Sequence, residues 1–416
     1  MNSNMPKDSG FDKTLNVLKE GYEFIMNRDR DLDTNIFETR ILGEKTICLT
    51  GSELAEFFYD NTRFRRSDAA PARVEKTLFG QGGVQGLDGD VHKNRKAMFM
   101  SLMDHNAMDE IEGLTQKYWH EFFADKSSDD TVELYEAAKV VFLKVASDWV
   151  GISLKHEDIE FRAQQISDLY ESPAALGLQH WKGRKSRFEA EDWIQKIVED
   201  VRDGKVEADK ERALYQFSMH KDLEGELLSP EVVTVELLNL IRPINAISVW
   251  VAMIGLALHE HPDEAEKLKG ADEQQLEWFI QEVRRYYPFF PFAVARADLD
   301  FEWNGYEFKE GTLTLLDLYG TNRHPDDWVK PEVFMPERFQ GWQQTPFNFI
   351  PQGGGSYDFG HRCAGEFITI VIMRTTLDFL VNHLEFEVPE QDFSFEFNDI
   401  PAVPNDKVKI NPITLK

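Results

Sequence analysis

The stretch GGGSYDFGHRCAGE, residues 353–366, decides how this chain is read. It holds one of only two cysteines in 416 residues, the other being Cys48. Cys363 is crowded by glycines, and CAGEFITIVIMR has the apolar spacing of a helix that begins at or just after the sulfur. The first amides of a helix and its dipole favour an anionic thiolate there. The glycines remove the Cβ atoms that would keep backbone away from something flat or bulky. Three uses for such a cysteine compete: an inert core thiol, a nucleophile with His361 as base, and a lone anionic ligand to haem iron. A base only two residues from its nucleophile seldom reaches the right geometry. A zinc or iron–sulfur site needs more cysteines than the chain has.

Around this stretch lies an acidic chain of net charge −28. Phosphate binding needs a basic patch, so the balance argues against nucleic acid. It fits solubility and offers little general attraction to an acidic redox protein. With 42% hydrophobic and 12% aromatic residues the chain can bury a large core. No linker, repeat or low-complexity block divides it, so residues 1–416 are expected to form a single domain. The opening MNSNMPKDSG is polar and unlike a signal peptide. The apolar run from Val249 to Leu258 is about half of what a membrane span needs, so no membrane anchor is expected. Two cysteines in so long a chain fit a reducing, cytoplasmic setting.

Helical periodicity dominates, over 11–27, 52–59, 91–103, 107–124, 132–150, 156–168, 186–222, 230–260, 272–287 and 365–383. Strand-like pieces are shorter: NIFETRIL, KTICLTG, FEWNGYEFKEGTLTLLDL and the tail. Asn304-Gly305, flanked by aromatics, reads as a hairpin turn. The expected fold is mainly α with small antiparallel β-sheets. Cys48, in a strand-like piece, reads as a small core hydrophobe.

One helix stands apart. Ser229 is a good N-cap, Pro230 suits the first helical position, and Glu231 follows in the first turn. The pattern continues to His259, about 45 Å at helical rise, so this helix should cross the middle of the molecule. Its centre, LLNLIRPINAISVW, contains Arg242 and Pro243. The proline removes a backbone donor and should kink or loosen the preceding turn. The arginine sets a permanent charge among leucines and isoleucines, which demands an anionic partner or water. On the residues alone, that partner is either a carboxylate of the protein or a ligand.

With these marks in view, GGGSYDFGHRCAGE resembles the cysteine loop of cytochrome P-450 haem-thiolate enzymes, with Gly360, Cys363 and Gly365 in matching positions. Glu282 and Arg285 in EVRR match the family's Glu-x-x-Arg motif, and PERF at 336–339 matches its downstream partner. One turn apart on a helix, Glu282 and Arg285 share a face and can pair with each other and with Arg338. A lone E-x-x-R occurs often by chance; four marks in order do not. The resemblance covers nearly the whole chain from about residue 10. RPINA, GVQGLDG at 83–89 and GHRCAGE narrow it to the bacterial fatty-acid peroxygenase branch, which hydroxylates or decarboxylates fatty acids with hydrogen peroxide. It implies a haem between the long helix and the cysteine loop.

The departures from ordinary members are informative. Monooxygenases of the family carry an acid–threonine pair mid-helix for handling bound dioxygen, where this chain has Arg242, Pro243, Ile244, Asn245 and Ala246. The protein's own acid–base is missing. The resemblance implies haem b ligated by Cys363, hydrogen peroxide as oxidant, a long-chain fatty acid as partner and no obligatory redox protein. Arg242 would hold the substrate carboxylate, which then serves as acid–base for peroxide. Pinning the carboxylate there sets Cα or Cβ at the oxidant and favours hydroxylation at α or β. Gln85 stands where decarboxylating relatives tend to carry histidine; a glutamine donates no proton near neutral pH, favouring hydroxylation over alkene formation. Phe290 adds bulk that leans toward α. Ala246 joins the substrate's surroundings, and Leu78, Phe79, Phe289 and Phe292 are expected along the acyl tunnel. Arg66, His92, Lys96 and His361 are expected at the haem propionates, Lys96 in place of a commoner arginine. The usual Phe-x-x-Gly spacing before the cysteine is absent, which leaves open the side chain that packs on the thiolate. A reductase-fed monooxygenase, a haem-thiolate sensor and a haem-free carrier are the competing functions.

Overall fold

Ser229 caps the central helix as expected, its hydroxyl accepting from the Val232 N–H at 3.3 Å. The computed structural model, which describes residues 5–175 and 177–416, runs this helix from Pro230 to Ala246 and continues it from Ser248 to Glu260. Pro243 sits inside the first part. The break comes at Ile247, whose N–H bonds the Ile244 carbonyl at 3.2 Å, a tighter i to i−3 turn. Over its most apolar 18-residue window the helix is 94% buried, so its apolarity serves the core. The helices Leu134–Val150, Ile159–Glu171 and Leu178–Arg202 pack directly on it. Glu366–Asp378, the helix after the cysteine, packs against His105–Ala124 and Glu273–Tyr286.

Two expectations about elements change. The pattern over 186–222 is two helices, Leu178–Arg202 and Ala213–Ser218. Gly204, left-handed at φ 69°, ends the first one by supplying the conformation that other residues resist. The main sheet is mixed rather than antiparallel. Its strands are β1 (Ile36–Ile41), β2 (Glu44–Leu49), β3 (Phe64–Arg65), β4 (Phe292–Ala297) and β5 (Leu313–Asp317), in the order β1-β2-β5-β4-β3. β2 and β5 run parallel, with Cys48 opposite Leu315, and the other pairs are antiparallel. A parallel pair joins strands remote in sequence, which local alternation cannot announce. β4, FAVARA, escapes a propensity reading because alternate positions are alanine. Ala293, Ala295 and Ala297 pack into one cluster with Phe58 and Ile350, while Phe292 and Val294 pack into another with Phe24, Phe37 and the fully buried Cys48.

The hairpin Phe301–Trp303 with Tyr306–Phe308 turns at Asn304 and Gly305, both at positive φ. In the tail, Lys409–Ile410 pairs with Val132–Glu133 and Ile413–Leu415 with Leu384–Phe386.

Candidate active site

The cysteine loop ends at Gly365, which precedes the first helical residue, Glu366. Burial and the Glu366 carboxylate push the Cys363 thiol up, while Lys96 and the Gly365 N–H draw it down. A cation on the sulfur's open side is therefore what would hold it as thiolate. His361 is not its base: the ring lies on His92, centroids 4.1 Å apart, and its Nε2 faces Asp88 at 3.8 Å. The side chain on the sulfur is Gln352, whose Nε2 donates toward Sγ at 3.8 Å and to Thr369 Oγ1 at 3.0 Å. The loop glycines also serve a purpose unforeseen in the sequence. A Cβ on Gly355 would come within 3.2 Å of the Tyr59 side chain and one on Gly353 within 3.2 Å of its hydroxyl, while one on Gly354 would strike the Pro346 carbonyl at 2.6 Å and Ile350 at 2.7 Å before reaching the Tyr59 ring at 3.0 Å. Gly353 and Gly355 thus make room for Tyr59, and Gly354 makes room for Pro346 and Ile350. A Cβ on Gly360 would strike the Ser356 carbonyl at 2.7 Å, so that glycine closes the loop on itself; Gly365 alone lies at the sulfur.

Beneath the loop are two carboxylate–arginine clusters. Glu282 and Arg285, both fully buried, form a forked pair with both bonds at 2.7 Å. Arg338 Nε adds a bond of 3.1 Å to Glu282, and Arg285 reaches the carbonyls of Asn322, Pro331 and Val333. Arg284, the other arginine of EVRR, makes a second cluster: it donates to Glu366 and Gln352 at 2.9 Å each, and Glu366 also holds Arg362 at 2.6 Å. Arg284 thus fixes the amide that touches the sulfur.

Arg66, His92, Lys96 and His361 come together on one side of the loop. Arg66, His92 and Lys96 are each at most 6% exposed. Burial lowers His361 strongly, with Arg66, His92 and Lys96 all adding to the effect. His92 is pushed down to about 4, first by burial and then by Lys96. Lys96 donates to the Arg362 carbonyl at 2.5 Å, Arg66 stacks on Phe58, and Arg66 Nη1 is buried without a partner. Asp88 faces His92 and Arg66, with its oxygens engaged by the N–H groups of Arg66 and Ser67 at 2.8 Å, while Asp358 and Glu366 act on Lys96. Three buried basic groups and the half-buried His361, which disfavour one another's charge, need a multiply anionic partner. Together with one sulfur and no cluster of three metal-ligating side chains among the described residues, they fit a haem that Cys363 would ligate and whose carboxylates Arg66, His92, Lys96 and His361 would hold.

On the central helix, within the field of the Cys363 sulfur, stands Arg242, 4% exposed. Among the described residues it has no carboxylate partner. Its Nη2 donates to Asn239 Oδ1 at 3.0 Å, and its Nε is buried and unpartnered. Burial, then the nearby Arg187 cation, push it down to about 9, and the Cys363 sulfur opposes them. Asn239 is held in turn: its Nδ2 donates to Glu236 at 3.0 Å and to Gln85 Oε1 at 3.3 Å. Glu236, fully buried, is claimed by Arg95 at 2.7 Å. The acid nearest Arg242 along the helix is thus already paired. Leu78 and Ala246 are buried in the cluster that surrounds the central helix, with Phe79 packed on it. Phe289 stacks on Trp250 with centroids 4.6 Å apart, and Phe290 meets Phe289 edge-on. Phe292 packs with the sheet cluster that holds Phe24 and Cys48. Gln352, Arg284, Glu366, Asn239 and Arg187 are site residues that sequence reasoning passed over; Arg284 in EVRR, Glu366 at the end of the cysteine stretch and Asn239 in LLNLIRPINAISVW lie inside the stretches it singled out, whereas Gln352 and Arg187 do not.

A cytochrome P450 family model matches residues 272–411, which span Glu282, Arg285, Arg338 and Cys363. The solved structure of cytochrome P450EX alpha (CYP152N1) with myristic acid matches at TM-score 0.96 and 47% identity over 100% of both chains. A variant of cytochrome P450SP alpha (CYP152B1) matches at TM-score 0.95 and 39% identity, over 98% of this chain and 100% of that one. A variant of cytochrome P450 OleT, solved with arachidonic acid, matches at 0.95 and 35%, over 100% and 99%. Likeness of this extent, carried by a chain whose thiolate loop and buried arginine clusters are all in place, means that the protein belongs to the cytochrome P450 family, in the CYP152 branch.

Proposed function

We propose that this oxidoreductase is a fatty-acid peroxygenase, which uses hydrogen peroxide to hydroxylate a long-chain fatty acid at the α, or β, carbon without a redox-partner protein. The observation that carries the reading is Arg242: a buried guanidinium, aligned by Asn239 and lacking a carboxylate of its own. A fatty-acid carboxylate is the anion it lacks, and two of the similar structures contain fatty acids.

Haem on Cys363, when bound, supplies the iron at which the peroxide O–O bond is split and one oxygen is passed on. The chain's own residues do the rest. Asn239 Oδ1 fixes one arm of the Arg242 fork and leaves Nε to donate to the carboxylate. The Arg95–Glu236–Asn239 chain sets which way the Asn239 amide points, so the fork is positioned before substrate arrives. The held carboxylate takes a proton from one peroxide oxygen and returns it to the other, a task for which Pro243 and Ala246 offer no titratable group. The balance is fatty acid plus peroxide giving hydroxy acid plus water, with no outside electrons. Anchored at its head, the substrate offers the α-carbon first. Gln85, an amide whose oxygen is turned to Asn239, donates no proton that would divert the reaction to an alkene.

The test is to mix haem-loaded protein, tetradecanoic acid and hydrogen peroxide without any reductase, and to analyse the products by mass spectrometry. The 2-hydroxy acid should dominate. Turnover that appears only when ferredoxin and reductase are added would overturn the reading.

A further inference from the structure

Arg242 is not the only cation here without an anion. In a chain of net charge −28, residues 180–187 read HWKGRKSR, five basic residues and no acid. Lys182 and Lys185 turn to Asp168 and Glu189, at 2.8 and 3.5 Å. Arg184 has no hydrogen bond or ion pair among the described residues. Arg73, from the segment packed beneath this helix, has none for its guanidinium either, although its Nε and Nη2 are buried. His180 lies within the field of both: burial first, then Arg73, and also Arg184, disfavour its charge. These cations occupy the outer end of the arrangement.

The inner end is Arg187. It is 2% exposed; its Nε pairs with Glu191 at 2.7 Å and its Nη1 donates to the Leu78 carbonyl at 3.4 Å, yet its Nη2 is buried without a partner. Gly80 is held at φ 84°, and a Cβ there would lie 2.1 Å from that same Nη2 and 2.7 Å from Val235. A Cβ on Gly83 would meet Val235 at 3.1 Å, and Asn239 and Gln85 at 3.0 Å. So Arg187 Nη2 packs against Gly80 and Val235, and the same valine meets Gly83 beside Asn239, the residue that holds Arg242. Leu178 and Trp181, 88% and 71% exposed, stand at the outer start of the helix and suit an alkyl chain.

We propose that Arg73, His180 and Arg184 form a collecting port for the carboxylate of a long-chain acid, and that Arg187 is an internal station past which the head group travels to Arg242. This rests on the fatty-acid reading above. A carboxylate bound for a buried arginine must enter first and shed water on the way, and intermediate cations offset that cost while the surface ones gather anions against the field of an acidic protein. Arg187 is a positioning residue; it touches no reacting atom.

The test uses the full-length haem-loaded protein with tetradecanoic acid and peroxide, at low and at about 0.5 M salt. Arg187→Gln should raise KM about tenfold with a smaller fall in kcat, and Arg187→Lys should recover most of the loss. Arg73→Gln with Arg184→Gln, at a less buried position, should lower kcat/KM about fivefold and remove much of the wild-type salt dependence. Acid binding followed through the haem Soret band should weaken in the same order, whether or not the acid is oxidised. Wild-type protein that binds the acid without oxidising it overturns the peroxygenase reading and leaves the port to be judged by binding. Variants that bind and turn over like wild type, or a lysine variant as poor as the glutamine one, overturn the port.

Discussion

Beneath the cysteine loop, Arg284 and Arg285 are at most 1% exposed, and each meets a carboxylate, at 2.9 and 2.7 Å. Across the site Arg242 is buried to nearly the same degree and meets an asparagine instead. Arg187, behind it, keeps one nitrogen unpartnered. Removing a guanidinium from water has the same large cost on either side. On the cysteine side that cost is offset within the protein, which makes a scaffold indifferent to ligands. On the central-helix side it is left partly unmet, which makes a receptor for an anion. The difference lies in the bookkeeping of carboxylates: Glu282 and Glu366 are spent on the scaffold, and Glu236 is spent on Arg95.

Substitutions can break or sharpen this contrast, and the largest effect belongs to Arg242. Arg242→Ala should cut peroxide-driven fatty-acid oxidation by more than about a hundredfold while the haem spectrum survives, because it removes both an anchor and the acid–base that the anchor positions. Arg242→Lys retains the charge without the fork and should also be badly impaired. Near wild-type oxidation in either variant would falsify the receptor half of the contrast.

On the scaffold side, Glu282→Ala strands Arg285 and Arg338 and should cost about 3–5 kcal/mol in denaturant unfolding, with loss of haem. A stable, fully loaded variant would show that the cluster is dispensable. A product shift comes next: Gln85→His places a titratable group beside Asn239 and should raise the share of terminal alkene over hydroxy acid, measured by gas chromatography. An unchanged ratio removes Gln85 from any steering role. The smallest effect is the most discriminating. In substrate-free protein, Arg242→Met should leave the unfolding midpoint unchanged or raise it slightly, since it deletes an uncompensated buried charge. A loss as large as that of Glu282→Ala would mean that Arg242 is structural after all.

Much of this site is legible in the sequence because its chemistry is costly and local. A lone cysteine among glycines, an arginine and a proline amid leucines, and a glutamate one turn from an arginine are residues whose presence needs a reason at that spot. Their pairing, as in Glu282 with Arg285, follows from helical spacing. The amphipathic periods and the Ser229 cap likewise determined the helices, since both are interactions between near neighbours. What only the tertiary structure decided are contacts between distant segments. Gln352 on the sulfur, Arg284 with Glu366 across 82 positions, Tyr59 on the loop glycines, the parallel β2–β5 pair and the Arg187 edge against Gly80 are of this kind. Each depends on how packed elements meet in space, and no spacing along the chain encodes that.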